Sequence, residues 1–373
     1  MLNLENIRIG WKDNMIENKK VVLISHLPPP ATGIGSWTKR VVETGLPDNW
    51  EIFVVNSNTI NGRDPFRNTK RSFKDEYKRT KRIYDEEKKL LKENKIEVVH
   101  TCIPCTPLGM IREMGCARIA RKHKVPFILH CRCTVPNVVN NWWKKLLLKK
   151  LLKKCKGVMV LNSKSYDFIK SLNKKIYVEI IPNFVSSSEM MEPKDKKEVK
   201  DIYYVGGVTE EKGANIIIEA ARKFPDINFH LIGNIEPQIE TIEKSDNVIF
   251  YGMKNRDFVD NALKNADIFL FLSRYWGEGF SNALVEAMAK GIPCIVTDWA
   301  ANKDMIEDKG GIVLVERNVE SLCDSISKMI NEPNLLNEYS LWNINKVMTK
   351  YVDKVVLKQY TRFYEHIVHI EEK

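Results

Sequence analysis

The chain has 373 residues, of which 43% are hydrophobic, 9% aromatic and 29% charged. This composition is typical of a globular protein and excludes general disorder, a collagen-like repeat and a small disulfide-stabilised scaffold. Lysine and arginine together number 59, against 48 aspartate and glutamate residues, so the formal net charge is +11. This excess suits an anionic partner, which could be a nucleic acid, an acidic membrane surface or a phosphorylated small molecule.

The sequence lacks the features of secretion and of membrane insertion. No apolar run approaches the roughly 18–20 residues that a membrane-spanning helix needs. The first twenty residues contain no apolar stretch followed by a small-residue cleavage site. We therefore expect a cytoplasmic protein without a secretory signal.

The eight cysteines are expected to be reduced and mostly buried in such a protein. The alternative is a zinc site formed by Cys102 and Cys105 with Cys131 and Cys133. Only one residue separates the second pair, which is poor spacing for two ligands of one metal ion. We therefore predict no metal site.

Twelve short runs rich in β-branched residues alternate with longer amphipathic segments, the pattern of βα units around parallel sheets. In the first half the predicted strands are 21–25, 51–56, 96–101, 125–130, 157–162 and 178–183. In the second half they are 201–206, 227–233, 247–252, 266–273, 293–298 and 310–315. Both sets are almost continuously hydrophobic, as expected of strands that helices cover on both faces.

The polar, highly charged segment 186–200 separates the two halves and is the predicted linker. We predict an N-terminal Rossmann-like domain over 1–185, of which 1–20 form an extension, and a C-terminal Rossmann-like domain over 201–355. A helix over 356–373 is expected to pack back toward the N-terminal domain. Two such doubly wound α/β domains predict a ligand in the cleft between the carboxyl ends of their strands.

Two glycine-containing turns follow predicted strands and could approach an anionic ligand. Gly33 and Gly35 come after the first strand, and the helix that begins near Ser36 offers free N–H groups. The third glycine of a dinucleotide fingerprint is missing, so a plain strand-to-helix turn is the alternative. Lys212 follows the glycines of the turn after strand 201–206. It could reach phosphate oxygens, or it could be a solvated surface lysine.

The turn after strand 266–273 and the helix that follows it contain the most candidate functional groups. Glu278 lies between two glycines, and a helix begins near Ser281 or Asn282, which are both good N-cap residues. The N–H groups of that first turn suit a diphosphate, and the Glu286 carboxylate further along the helix suits a ribose diol. A helix cap alone does not explain a carboxylate between two glycines.

These segments together resemble family 4 of the retaining nucleotide-sugar glycosyltransferases. The run EGFSNALVE, with Glu278 and Glu286 separated by seven residues, resembles the family's Glu-x7-Glu motif. VGGVTEEKG resembles its donor-phosphate turn, and ATGIGS resembles its N-terminal glycine loop. VVHT, PFILH, VLNS and IPN follow in the family's order and spacing, so the resemblance covers nearly the whole chain from Val21 onward.

The resemblance implies a GT-B fold, in which two Rossmann-like domains face each other across a cleft. It implies that the C-terminal domain binds a nucleoside diphosphate sugar, that the N-terminal domain binds the acceptor, and that the anomeric configuration is retained. It also implies that no metal or other cofactor is required.

The resemblance further implies roles for particular residues. In the catalytic centre, His130 would lie near the donor sugar, Glu278 would contact it, and Lys212 would stabilise the leaving diphosphate. The backbone at 280–282 would hold the diphosphate, Glu286 the ribose, and the neighbourhood of 252–253 the base. The implied donor-binding residues are Gly33, Gly35, Gly207, Lys212, Gly252, Met253, Phe280, Ser281, Asn282 and Glu286.

Two positions depart from the family's pattern. Gly207 stands where the family commonly has an arginine, so Lys212 and the helix dipole would carry more of the charge stabilisation. The family's His-Asp pair is replaced by His130-Cys131-Arg132. Whether Arg132 compensates for either difference is a question for the structure.

The segment 140–157 carries seven lysines and no acidic residue. We predict a helix that Asn141 caps and Gly157 ends, with a leucine face formed by Leu147, Leu148, Leu151, Leu152 and Cys155. The predicted membrane-binding residues share the other side: Trp142, Trp143, Lys145, Lys149, Lys150, Lys153 and Lys154. Tryptophan suits the headgroup level and lysine attracts anionic lipid. A docking helix with solvated charges is the alternative, and a nucleic-acid surface lacks a recognition motif.

We therefore predict a peripherally membrane-bound hexosyltransferase at the inner face of the cell membrane. Its expected partners are a nucleotide sugar donor, a lipid-linked or saccharide acceptor of a surface-polysaccharide pathway, and an anionic membrane, but no nucleic acid. Two alternatives remain. One is a GT-B sugar-nucleotide epimerase, and the other is a GT-B subunit that binds nucleotide without catalysis.

Overall fold

The computed structural model describes residues 18–29, 32–58, 72–193 and 198–371. The predicted extension 1–20 lies almost wholly outside these residues, as do residues 194–197 of the predicted linker. The described residues form two α/β domains, each built on one parallel sheet.

The N-terminal domain contains a six-stranded sheet with the order β2-β1-β3-β4-β5-β6. Its strands are β1 (Lys19–Ser25), β2 (Trp50–Asn56), β3 (Val98–Ile103), β4 (Phe127–Cys131), β5 (Gly157–Val160) and β6 (Tyr177–Ile180). Its helices are α1 (Gly33–Thr44), α2 (Phe73–Glu93), α3 (Pro107–Lys122), α4 (Val135–Val138), α5 (Trp142–Leu152) and α6 (Ser163–Leu172).

The C-terminal domain contains a second six-stranded sheet with the order β12-β11-β10-β7-β8-β9. Its strands are β7 (Asp201–Val205), β8 (Asn228–Ile232), β9 (Val248–Gly252), β10 (Ile268–Phe271), β11 (Cys294–Thr297) and β12 (Gly311–Leu314). Its helices are α7 (Ala214–Ala221), α8 (Pro237–Glu240), α9 (Arg256–Leu263), α10 (Asn282–Ala289), α11 (Asn302–Ile306), α12 (Val319–Asn331) and α13 (Pro333–Lys350), and α14 (Asp353–Glu371) ends the chain.

All twelve predicted strands are present, although their ends shift by up to three residues. Every residue of β3, β4 and β5 is buried, because helices cover both faces of a parallel sheet. Since the paired strands are parallel, their carboxyl ends share one edge of each sheet. The loops that leave these edges form the cleft between the domains.

The chain crosses between the domains at two adjacent segments. The Val185 N–H donates to the Tyr351 carbonyl at 2.9 Å, and the Asp353 N–H donates to the Val185 carbonyl at 2.9 Å. Helix α14 then returns to the N-terminal domain, where Tyr360 and Phe363 share a core with β1, α1 and β3. The C-terminal helix begins at Asp353, three residues before the predicted boundary at 356.

Helix α5 differs from the prediction at its end. It stops at Leu152 rather than continuing to Gly157, which is the first residue of β5. The N–H groups of Lys154 and Cys155 bond three residues back, to Leu151 and Leu152, and this tighter turn ends the α-helix. Asn141 precedes the helix without a side-chain cap. Of the helices in the described ranges, none is both long and apolar enough to span a bilayer.

Candidate functional site

Helix α10 begins after a loop at the carboxyl edge of the C-terminal sheet, which we call the 278–282 loop. The Ser281 hydroxyl caps the helix by accepting the N–H of Leu284 at 3.2 Å. In the described part of the chain, no acceptor is bonded to the N–H groups of Gly279, Phe280, Ser281 and Asn282. The first three of these residues are buried. Unpaired N–H groups at a helix N-terminus are costly unless an anion accepts from them, so this edge suits a diphosphate.

The N-terminal domain holds three successive carbonyl groups of the same loop. Thr134 donates its N–H and its hydroxyl to the Glu278 carbonyl at 3.0 and 2.8 Å. The Asn162 amide donates to the Gly279 carbonyl at 3.0 Å, and the Asn183 amide to the Phe280 carbonyl at 3.1 Å. The loop is therefore fixed by the opposite domain. Sequence reasoning did not find Thr134, Asn162 and Asn183 as functional residues.

Gly279 permits this close approach of the two domains. A Cβ atom at that position would lie 2.7 Å from the Leu161 side chain, 3.0 Å from the Cys133 Cα and 3.2 Å from the Arg132 carbonyl. Two of these neighbours are backbone atoms, which cannot move aside as a flexible side chain can. Only glycine fits between the loop and the N-terminal domain.

The two predicted catalytic residues of the C-terminal domain meet in the cleft. The Lys212 ammonium lies 3.4 Å from the Glu278 carboxylate, and both side chains are largely buried. The turn that carries Lys212 is held by Arg317, whose guanidinium donates to the Glu210 and Glu211 carbonyls. Arg317 was also missed from sequence, because it follows β12, far along the chain.

Glu286 is paired with an arginine of the opposite domain. The Arg40 guanidinium, on α1, donates to the Glu286 carboxylate at 2.7 Å and lies 3.6 Å from Glu189. Arg256, at the start of α9, contacts Glu189 at 2.7 Å and lies 4.0 Å from Glu286. Arg40, Glu189 and Arg256 line one wall of a cavity of about 760 Å³ beside the domain crossing. A ribose bound at Glu286 would therefore share the Glu286 carboxylate with the guanidinium groups of Arg40 and Arg256.

His130 lies at the end of β4, as predicted, but it is completely buried. Its Nε2 lies 3.1 Å from the Arg132 guanidinium, and its Nδ1 lies 3.1 Å from His100 Nε2. A guanidinium only donates, so His130 accepts from Arg132 and donates to His100, which then donates to the Tyr364 hydroxyl at 2.7 Å. Both ring nitrogens of His130 are therefore occupied in this arrangement, and its place near the donor sugar stays a prediction.

Burial favours the neutral form of both hydrogen-bonded imidazoles, His100 and His130. Burial, with the nearby Arg132 charge, lowers the pKa of His100 to about 3. Burial also holds the pKa of His130 well below its usual value. Arg132 is itself buried and stacks on Trp37, with its guanidinium carbon 4.1 Å from the ring centre. The Arg132 guanidinium also donates to the Asn183 side-chain carbonyl at 2.6 Å. Arg132 thus links His130 to the 278–282 loop through Asn183.

Three groups lie close enough to share a metal ion: His100 Nε2, Cys102 Sγ and His130 Nδ1, within 4.8 Å of one another. A zinc ion would require the proton of neutral His130 to move to Nε2. That proton would then face the Arg132 N–H, and a guanidinium offers no acceptor. Burial also raises the pKa of the Cys102 thiol to about 12. The hydrogen bonds therefore favour the neutral His100–His130 pair over a metal ion at this position.

The remaining predicted donor-binding residues have fewer contacts. The Gly33 carbonyl accepts the Asn282 side-chain amide at 3.5 Å, which brings α1 to the start of α10. The Gly35 N–H donates to the Thr32 hydroxyl at 3.0 Å. Gly207 and Gly252 lie at the carboxyl ends of β7 and β9. Met253 follows with its side chain exposed.

The predicted membrane-binding residues lie on the outer face of α5, except Lys153 and Lys154, which directly follow its last residue. Trp142, Trp143 and Leu146 are 73%, 43% and 50% exposed, whereas Leu148, Leu151 and Leu152 are buried. The exposed lysines of the same side are Lys145, Lys149, Lys150 and Lys153, and Lys154 is half-buried. The helix therefore separates a buried leucine face from a solvent-facing side that mixes aromatic rings with positive charge.

Comparisons with known proteins agree with this architecture. Residues 186–341 match the sequence model of the family described as glycosyl transferases group 1. Sucrose-phosphate synthase from Thermosynechococcus elongatus has a similar fold, with a TM-score of 0.77 at 15% identity over 95% of this chain and 100% of that one. At such low identity the likeness concerns the fold alone.

Two curated relatives align over most of the chain. The 2-deoxystreptamine N-acetyl-D-glucosaminyltransferase of Niallia circulans is 22% identical over 73% of this chain and 77% of the relative. The UDP-Gal:alpha-D-GlcNAc-diphosphoundecaprenol alpha-1,3-galactosyltransferase of Escherichia coli is 26% identical over 72% and 76%. With its two facing sheets, the chain has the GT-B fold, and its relatives over most of its length are named glycosyltransferases. Its C-terminal domain carries the glycosyl transferases group 1 sequence.

Proposed function

We propose that the protein is a retaining, metal-independent hexosyltransferase of family 4. It moves a hexose-type sugar from a nucleoside diphosphate sugar to an acceptor hydroxyl. The observation that carries this proposal is the row of unpaired N–H groups at the start of α10, next to the Lys212–Glu278 pair. Such donors bind an oxyanion without reorganisation when negative charge develops on the leaving diphosphate.

Each site residue then has a chemical task. The 278–282 loop accepts the diphosphate, and Lys212 adds a positive charge where the leaving group becomes more negative. The Glu278 carboxylate, paired with Lys212, is placed to bond hydroxyl groups of the donor sugar. Glu286 bonds the ribose diol. The β9–α9 turn at 252–253 receives the base.

Incubation of the purified protein with a panel of nucleotide sugars tests this proposal. Transfer to saccharide or lipid-linked acceptors is expected, with retained configuration in the product and no loss of rate when a chelator is added. Glu278→Gln, which removes the carboxylate charge at equal size, should reduce turnover strongly. Interconversion of donor sugars without transfer would favour the epimerase. Nucleotide binding without turnover would favour the non-catalytic subunit.

We further propose that the acceptor is lipid-linked and that the protein binds the inner face of the cell membrane through α5. The charge and exposed aromatic residues of α5 support this, because tryptophan and lysine suit an anionic interface. The E. coli relative, by its name, acts on a diphosphoundecaprenol-linked sugar. A lipid-linked acceptor would present its sugar at the level of the headgroups.

Two neighbouring helices extend the same surface. Phe73 and Tyr77 of α2 are 90% and 71% exposed, and Leu108 and Ile111 of α3 are also exposed. Helix α3 packs against both α2 and α5. Helices α2 and α3 follow β2 and β3, so these residues lie in the first two turns of each helix, at the carboxyl edge of the N-terminal sheet. An acceptor held at the membrane would approach the cleft from this side.

Co-sedimentation with anionic vesicles tests the membrane contact. Replacement of Lys145, Lys149, Lys150, Lys153 and Lys154 by Gln should reduce vesicle binding, since each lysine contributes about 1 kcal/mol near an anionic surface. The matched control replaces five exposed lysines elsewhere by Gln, namely Lys122, Lys124, Lys174, Lys175 and Lys309. It changes the net charge equally and should bind as the wild type does. Equal loss in both variants, or no wild-type binding at low salt, would contradict an α5 contact.

A further inference from the structure

We propose that the N-terminal domain positions the diphosphate-binding N–H groups through Thr134, Asn162 and Asn183, which we call the carbonyl clasp. This inference rests on the proposed function, because it assigns these side chains to the donor site of the other domain. They are positioning residues, since they touch the loop rather than the substrate. The clasp makes the donor site complete only when the two domains are closed.

The first argument is the planarity of the peptide bond. In a trans peptide the C=O of one residue and the N–H of the next point in opposite directions. The clasp draws the carbonyl groups of Glu278, Gly279 and Phe280 toward the N-terminal domain. The N–H groups of Gly279, Phe280 and Ser281 must therefore point away from it. These are three of the four N–H groups of the loop for which the described residues supply no acceptor.

The second argument is that burial and hydrogen bonding fix the orientation of the clasp side chains. Thr134, Asn162 and Asn183 are at most 3% exposed. Asn162 donates to the Thr134 hydroxyl at 3.0 Å as well as to the loop, and its oxygen accepts the Ser165 N–H at 2.9 Å. Every polar atom of this side chain is therefore used, and its orientation is fixed.

The third argument concerns the anchor of Asn183. The Arg132 guanidinium donates to the Asn183 oxygen at 2.6 Å, so the amide nitrogen of Asn183 must face the loop. That nitrogen donates to the Phe280 carbonyl and, at 2.8 Å, to the Asn282 side-chain oxygen. Arg132, which lies two residues after His130, thus acts on the donor site through Asn183. It is a positioning residue rather than a direct ligand of the diphosphate.

Variants of near-equal size separate positioning from folding. Asn183→Asp keeps the acceptor for Arg132 but loses both bonds to the loop. Asn162→Asp keeps the acceptor for Ser165 but loses its donor. Thr134→Val is uncharged and removes the hydroxyl, which bonds the Glu278 carbonyl and accepts from Asn162, while the backbone N–H still holds the Glu278 carbonyl. The control is Asn173→Asp, which adds the same charge at the end of α6. There the Asn173 side-chain oxygen accepts the Lys175 N–H, a bond that an aspartate can also make.

The measurement compares the affinity for a nucleoside diphosphate with that for its nucleoside, by calorimetry on the full chain. Among UDP, GDP and ADP, the one that the wild type binds most tightly is used. We expect Asn183→Asp and Asn162→Asp to lower the ratio of the two affinities at least about tenfold, and Thr134→Val to lower it a few-fold. The kcat for transfer should fall in the same order. Asn173→Asp should change neither.

The outcomes are distinguishable. If the wild type binds none of the three nucleoside diphosphates, the proposed function itself is contradicted. If the wild type binds one of them and the clasp variants only lower the melting temperature, with an unchanged affinity ratio, the clasp has a structural role alone. If the two Asp variants lose affinity while Thr134→Val equals the wild type, added charge explains the loss, and the inference is overturned.

Discussion

The 278–282 loop and helix α5 use opposite physical means to prepare for a ligand. The loop is buried, and its carbonyl groups are held at three consecutive positions by the other domain. The outer side of α5 is exposed, and its tryptophan rings and lysines face solvent. The first region offers fixed geometry for one small anionic group. The second offers charge and apolar surface without fixed geometry, which suits a fluid interface.

The difference teaches where mutations should act strongly. Changes of one atom in the loop or its clasp should alter binding and turnover, because a diphosphate must meet several N–H groups at once. Changes on α5 should add up gradually, because each side chain contributes independently to a surface contact.

The largest effect is expected from Gly279→Ala. The added methyl group would overlap Leu161 and the backbone of Cys133, so the domains must separate and the clasp must break. We expect kcat/KM for transfer to fall about 100-fold or more. Leu161→Ala in the same protein should restore only part of the rate, because the Cys133 Cα remains 3.0 Å away. A Gly279→Ala variant with wild-type turnover would show that the closed contact is not needed.

Glu286→Ala should weaken nucleotide binding about tenfold to 100-fold, the usual cost of a charge-assisted hydrogen bond to a ribose. The companion variant is Arg40→Met, which removes the partner of Glu286 but leaves the carboxylate for the ribose. We expect it to keep most of the nucleotide affinity in calorimetry. Equal losses in both variants would mean that Glu286 serves only the ion pair between the domains.

Acid should lower the free energy of unfolding through the buried His100 and His130 before it affects α5. The folded-state pKa values of His100 and His130 are lowered by burial, so the unfolded state takes up protons first. For His100 the stabilisation is present above about pH 6.5 and is lost as the pH falls toward about 3. Near pH 5 the loss from His100 is about 2 kcal/mol of unfolding free energy, and His130 acts in the same direction. Denaturant unfolding measures it, and His100→Gln should flatten the curve; an unchanged acid limb would refute the assignment.

The smallest effects are expected on α5. Trp142→Ala and Trp143→Ala should each weaken binding to anionic vesicles several-fold, since each ring adds apolar contact at the headgroup level. Nucleotide affinity should not change in either variant. If either substitution lowered nucleotide affinity while vesicle binding stayed the same, α5 would be part of the donor site rather than a membrane contact.

The fold could be predicted from the sequence almost completely. Continuous apolar runs followed by amphipathic segments gave all twelve strands, because a parallel sheet buried on both faces leaves few other arrangements. The end of α5 was wrong because lysines at 153 and 154 continue a helical pattern while the backbone tightens into a turn. Local propensity does not record that β5 must begin at Gly157.

The sequence predicted only those parts of the site whose residues all belong to one domain. The Lys212–Glu278 pair and the start of α10 follow from short motifs, since their residues lie close in sequence or follow neighbouring strands. Thr134, Asn162 and Asn183 contact residues more than 90 positions away, and Arg40 pairs with Glu286 across 246 positions. One signal could have found the clasp: its residues follow the carboxyl ends of β4, β5 and β6. The burial of His130 depends on Trp37 and α14, which no local pattern reveals.

Amide hydrogen exchange with and without a nucleoside diphosphate tests the central claim most directly. The claim is that the unpaired N–H groups of the 278–282 loop receive the donor diphosphate. Addition of a saturating nucleoside diphosphate should slow exchange at Gly279, Phe280, Ser281 and Asn282, whereas the amides of α5 should exchange at an unchanged rate. Protection of α5, or binding without protection of the loop, would contradict the account.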